Sequence, residues 1–384
     1  MRWALGVEVK RHWRIGVFLP VLTLAAAAPH EARAESETHF HDAPPEFKSA
    51  HGLGMGGTGV SFTRGLDAAF VNPAGIAQSK SILSEIVLVS PLVTVGDEGR
   101  KLYKDIDAGT DTYDMIAKYQ NKPQHVGVQN VTGISFKRAA FGLLQSGQVD
   151  VFAGTDPTSP LPIAEVRAIA RAGVYLSSAR AFLSDDLLVG VTTKVVQKRE
   201  LSLRLSALEA QEKMKGSSSK ALLNENMKQG TGIGADIGVQ YRVSEMDTKP
   251  TFGVVGRNLG LRYGWGVPKG KKAPSAEKPT VDVGLSLEPG TKRSTSRVAI
   301  DFVDAANAYK LSPYKRIHLG AELSFQNVLG AMAGIGGGYP SFGAYMNIKI
   351  LRIEGGVYGE ELGKQPGDLR SRRYFARVSL GWLQ

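Results

Sequence analysis

From Gly232 to Val243 every second residue is apolar. Ile233, Ala235, Ile237, Val239, Tyr241 and Val243 share one parity, and Gly232, Gly234, Asp236, Gly238, Gln240 and Arg242 share the other. Side chains of a β-strand point alternately to its two faces, so this period predicts a ribbon with one apolar and one polar face. The split recurs: Ile317, Leu319, Ala321, Leu323 and Phe325 oppose His318, Gly320, Glu322, Ser324 and Gln326. Near the C-terminus, Tyr374, Ala376, Val378, Leu380 and Trp382 oppose Phe375, Arg377, Ser379 and Gly381. Parity read along the chain predicts fourteen strands, near 81–95, 124–137, 139–152, 164–178, 186–203, 230–244, 250–260, 279–288, 296–304, 314–326, 329–337, 341–350, 352–360 and 372–383.

The predicted connections alternate in length. Long or intermediate ones (96–123, 153–163, 204–229, 261–278, 305–313, 361–371) are separated by short ones, and only 338–340 is short where the alternation predicts length. A soluble sandwich has no reason to sort its loops this way. A transmembrane antiparallel β-barrel does: its turns are short at one membrane face and longer at the other, and an even strand count returns both termini to the periplasm. Its strands need about 9–11 residues each, and closure pairs every backbone group that lipid would leave unsatisfied.

The N-terminus agrees with export. Arg2, Lys10, Arg11 and Arg14 precede the uncharged run Ile15–Ala28, and Ala32-Arg33-Ala34 forms an A-x-A site. This predicts a signal peptide over 1–34, cleaved near Ala34, because the apolar run is too short for a spanning helix. Removing its five basic and two acidic residues lowers the formal charge from +11 to +8. For an exported protein that balance suits the anionic phosphates of outer-membrane lipid and lipopolysaccharide, and no clustered basic motif points to nucleic acid. The absence of cysteine excludes a disulfide framework and thiolate metal sites.

The stretch GLGMGGTG (52–59) satisfies G-x-G-x-x-G at Gly54, Gly56 and Gly59, with Gly57 between. A dinucleotide loop needs a strand before it, a helix after it and an acidic residue about 20 positions on. HDAPPEFKSAH before it and VSFTRG after it supply neither element, so the phosphate-loop reading fails. Farther on, Asn72 suits a helix N-cap, Pro73 suits the first helical position, and Gly75 keeps that turn short. The segment LGMGGTGVSFTRGLDAAFVNPAGIA (53–77) resembles the N-terminal hatch of the FadL family of outer-membrane long-chain fatty acid and aromatic-hydrocarbon channels, whose Asn-Pro-Ala motif is matched by Asn72, Pro73 and Ala74. GVVGRNLG (253–260) is similar to a phrase in related barrels of the PorV and TraF-like groups.

The resemblance implies a hatch or plug over 35–80 inside a barrel over 81–384, and diffusion of a hydrophobic small molecule through it. The PorV/TraF-like relatives imply an alternative, a scaffold or shuttle for protein secretion or conjugation. Either way the barrel-assembly machinery is an expected partner in a Gram-negative outer membrane. Charges on the inward parity, among them Arg167, Arg171, Lys194, Asp236, Asp282, Arg297, Asp301, Glu322, Lys349, Arg352, Glu354 and Arg377, are expected to pair plug with wall. Two long loops carry amphipathic patterns suited to ligand capture: Tyr113, Met115, Ile116 and Tyr119 in one, and Leu222, Leu223 and Met227 in the other. His39 and His41 with Asp42 lie in a Pro-bearing tail and read as solvated rather than metal-ligating. With neither H-E-x-x-H nor G-x-S-x-G in the chain, neither an enzyme nor a cofactor is expected.

Overall fold

The computed structural model describes residues 40–383 apart from 42–43, 80, 109–113, 115–116, 156–161, 207–208, 210–211, 213–216 and 291–293. The predicted signal peptide (1–34), and His39 and Asp42 of the tail expected to be solvated, lie outside the described residues. Each predicted strand corresponds to a strand of one closed antiparallel sheet. β1 is Leu83–Val89 and resumes after Ser90 as Pro91–Gly96. β2 to β7 are Gln124–Phe136, Ala139–Thr155, Pro162–Phe182, Leu187–Ser206, Lys228–Arg242 and Thr251–Trp265. β8 to β14 are Thr280–Leu287, Ser294–Phe302, Ile317–Phe325, Leu329–Gly336, Tyr339–Asn347, Leu351–Glu361 and Arg370–Trp382. Both halves of β1 pair with β2 and with β14, as in Val93↔Val128 and Val93↔Ala376, and this closes the ring.

The distribution of side chains is the inverse of a water-soluble protein's. Ile237, Val298, Leu319, Leu323 and Ile335 are exposed on the outer face, whereas Asp236, Asp301, Glu322 and Arg373 are buried on the inner one. Outward Phe136, Phe182, Tyr241, Phe252, Phe325 and Trp382 stand at the short-turn ends of six strands. That ring suits one lipid–water interface, where amphipathic rings settle at headgroup level. No helix among the described residues is long and apolar enough to cross a membrane.

The wall is uneven. β4 and β5 run for 21 and 20 residues, but β8 has only 8. The tall strands outrun their predicted ends because alternation fades there: Gln197 and Arg199 face outward and exposed, above the apolar band. The short link at the long-loop end is a two-residue hairpin, with Gly337 and Gly338 at φ 58° and 87°. Only residues without a Cβ enter that region freely, so two adjacent glycines close this turn where a longer loop is otherwise expected. β7 carries three one-residue register shifts against β6 between Gly256 and Trp265. Asn258 and Gly260, at φ 59° and 73°, supply the left-handed conformations that such bulges use. This gives the GVVGRNLG phrase a mechanical meaning.

Two expectations need correction. Lys349, counted inward by parity, lies exposed in the turn between β12 and β13, because period two stops where the strand stops. β1 and β14 do start and end at the short-turn face, but the chain ahead of β1 does not enter there. Phe40 packs with Phe152, Leu362 and Leu369, and the His41 N–H donates to the Leu362 carbonyl at 2.8 Å, both at the long-loop end. Residues 44–79 descend from that end through the barrel to reach β1.

Candidate functional site: the lumen around residues 44–79

The descending segment is built from short pieces: α1 (Ala50–Gly54), α2 (Ala68–Val71) and a 3-10 turn (Pro73–Gln78). Asn72 organises the last of these. Its side-chain oxygen accepts from the Ala74 N–H at 3.2 Å, while its amide nitrogen donates to the Val60 carbonyl at 2.7 Å and reaches the Val239 and Val254 carbonyls of β6 and β7 at 3.4 and 3.5 Å. Asn72 is fully buried, so those bonds satisfy a side chain that would otherwise cost stability. Pro73 occupies the first turn, where a missing N–H costs nothing.

The inward face of the wall is cut to fit this segment. A Cβ on Gly190 would strike Pro73, one on Gly238 would strike Asn72, one on Gly253 would strike Val60, and one on Gly284 would strike the Asp301 carboxylate and crowd Val60. On the opposite wall, Cβ atoms at Gly320 and Gly334 would strike Met55. Gly56, at φ 70°, lies against the backbone of Leu319 and Ile335, and Gly54 lies against Met332. Gly57 and Gly59 approach His318 and Thr63. The opening glycines therefore serve backbone-to-wall contact. Gly238→Val is expected to unseat the segment, raising protease cleavage within 44–79 and leakage of small solutes in liposome swelling. Gly264→Val, at a position with open space around it, should change neither.

Charges pin the same segment to the wall. Asp67 meets Arg377 through both carboxylate oxygens, at 2.8 and 3.0 Å. Burial alone would push the Asp67 carboxyl up, but the facing guanidinium outweighs it and holds the group below its ordinary value. Lys194 reaches Glu46 at 2.8 Å and Asp236 at 3.0 Å, and Lys48 reaches Glu360 at 3.0 Å. Asp301 accepts the Gly59 and Val60 N–H groups at 2.7 and 2.9 Å. Sequence parity missed one hub. Asp150 is fully buried and takes His125 at 2.7 Å and both Arg167 and Arg373 at 3.0 Å. Arg373 shares parity with Arg377, which was the signal available.

Residues 49–67 leave a cavity on each side. The one toward the long-loop end is about 370 Å³, with Phe47, Leu53, Val60, Phe70 and Val71 of the segment among its lining and Tyr309, Leu311, Tyr339 and Tyr358 across from them. Phe47 stacks on Phe70 with centroids 4.8 Å apart, and Phe70 meets Tyr175 edge-on at 4.7 Å. The cavity toward the short-turn end, about 320 Å³, is bordered mainly by polar and charged groups such as Arg64, Asp67, Arg297 and Glu322.

The described capture-loop candidates, Tyr119, Leu222, Leu223 and Met227, are not among the residues that line these cavities. Tyr113, Met115 and Ile116 lie outside the described residues. Tyr119 is buried and donates to Asp105 at 2.6 Å. Leu222 packs over Ala153, Ala164 and Leu205, an outward row of β3–β5, while Leu223 is exposed and Met227 half-buried beside β6.

No protein-family model matches the sequence, and no curated protein matches it. Solved structures do match. The chain is similar to the "TodX deltaS2S3 mutant monoaromatic hydrocarbon channel" at 14% identity and a TM-score of 0.50, over 88% of this chain and 99% of that one. It is also similar to the Ralstonia pickettii toluene transporter TbuX at 13% identity and a TM-score of 0.49, over 88% and 98%. At 14% identity the first likeness concerns the fold, and that fold is the transmembrane β-barrel derived above.

Proposed function

We propose that this chain is an outer-membrane channel through which a hydrophobic small molecule diffuses, with residues 44–79 acting as its hatch. The observation that carries this reading is the 370 Å³ cavity, whose apolar floor of Phe47, Leu53, Val60 and Phe70 faces Tyr309, Leu311, Tyr339 and Tyr358, with charged groups such as Lys194 and Asp236 also in its lining. Apolar surface concentrated in a concave site with a few polar groups is what small-molecule recognition uses. The solved structure that shares the barrel fold is a monoaromatic hydrocarbon channel, which makes a monoaromatic hydrocarbon the first ligand to try. The short-turn end then faces the periplasm and the long-loop end the cell exterior. Delivery by a signal peptide cleaved near Ala34 and folding by the barrel-assembly machinery complete the proposal.

The test is uptake of labelled toluene by a deletion strain complemented with wild type or Phe47→Asp. A carboxylate on the cavity floor should reduce uptake about tenfold or more, since an unpaired buried charge costs several kcal/mol. Heat-dependent gel mobility should stay that of a folded barrel. Unchanged uptake in the deletion strain, with lost protein secretion, would replace the channel by the scaffold.

A further inference from the structure

Four arginines border the cavity at the short-turn end, and three of them are matched. Arg297 donates to Glu322 at 2.5 Å and Glu288 at 2.8 Å, Arg352 donates to Glu354 at 2.9 Å, and Arg377 takes both oxygens of Asp67. Glu85, the remaining carboxylate of the lining, accepts the Leu66 N–H at 2.7 Å. Arg64 is the exception: it makes no hydrogen bond or ion pair among the described residues, and its side chain stands open to the cavity.

The position of Arg64 is fixed rather than incidental. The next residue, Gly65, has φ 66° and lies so close to Glu85 that a Cβ would collide with its carboxylate, and Leu66 is tied to the same carboxylate. The backbone therefore presents Arg64 from a set point. Enclosure in the barrel and the neighbouring Arg297 guanidinium push Arg64 below its ordinary value, and the Glu288 and Glu322 carboxylates offset this only in part. It stays charged, because a guanidinium does not lose its proton in proteins. Nε of Arg297 and Nε of Arg352 also lack a protein acceptor among the described residues.

We propose that this cavity is an oxyanion-binding site, in which the Arg64 fork grips a carboxylate or phosphate group through paired N–H donors with Arg352 and Arg297 behind it. A planar guanidinium with five donors matches the oxygen pair of such a group, and charge-assisted bonds of this kind are the strong ones. The anion arrives either free or as the end of an apolar tail. In the second case the site extends the channel reading, holding cargo by its charged end at the periplasmic mouth.

The experiment is calorimetric titration of the full-length protein in non-ionic detergent with octanoate, octan-1-ol, acetate and inorganic phosphate, for wild type, Arg64→Gln and Arg64→Lys. Arg64→Gln is expected to weaken anion binding about tenfold or more, the worth of one bidentate charge-assisted contact, and to leave octan-1-ol unchanged. Arg64→Lys keeps the charge but loses the fork, so it should fall between the two. Tighter binding of octanoate than acetate assigns the tailed source; equal affinities assign the free anion. Anion affinity equal to wild type in Arg64→Gln, or in Arg64→Lys should the first variant not assemble, overturns the site, as does a wild type that binds none of the anions. Arg64-dependent anion binding without any octan-1-ol binding would leave the site standing and count against the channel.

Discussion

Lysine in place of Ile237 is expected to destabilise the barrel by about 2–4 kcal/mol if the position lies at mid-bilayer, the depth at which a lipid-facing cation costs most. Ile237 is 46% exposed, and on β5 its partner Val191 is equally outward. In water that exposure would be a defect and lysine an improvement. The direction of the effect therefore reports which solvent the outer face meets. Urea unfolding from lipid vesicles measures it, and a variant as stable as wild type would mean that this face does not touch hydrocarbon.

Alanine in place of Asp67 is expected to cost about 3–5 kcal/mol, since it leaves the buried Arg377 guanidinium without its bidentate partner. Glu354, at 3.7 Å, is the nearest remaining carboxylate and already serves Arg352. Melting in detergent should fall, and liposomes carrying the variant should leak small solutes. Because the Asp67 pKa is depressed in the folded protein, the contribution of the pair is complete above the ordinary carboxylate range and lost as the pH falls through the depressed value. Wild-type leakage should accordingly rise only on strong acidification. A variant that melts and seals like wild type would show that this pair does not hold the segment.

Much of the architecture was legible in single residues. Parity along β6 placed Ile237 outward and Asp236 inward, and both are so. The same counting failed at Lys349, where a turn interrupts it, and fell short on β4 and β5, whose outer faces turn polar above the apolar band. The glycines at 54–59 announced tight backbone packing, but their contacts, Leu319, Ile335 and Met332, stand more than 250 positions away. No local pattern encodes that.

Alone, the order of residues determined strand number, which face of each strand is apolar and where the short turns fall, because these depend on parity and on neighbours within a few positions. Only the tertiary structure decided that residues 40–79 run in from the long-loop end, that glycines on six strands clear a bed for residues 53–73, and that Arg64 has no ion-pair partner among the described residues. Those outcomes depend on which distant side chains meet inside a closed ring, and closure is a property of all fourteen strands at once.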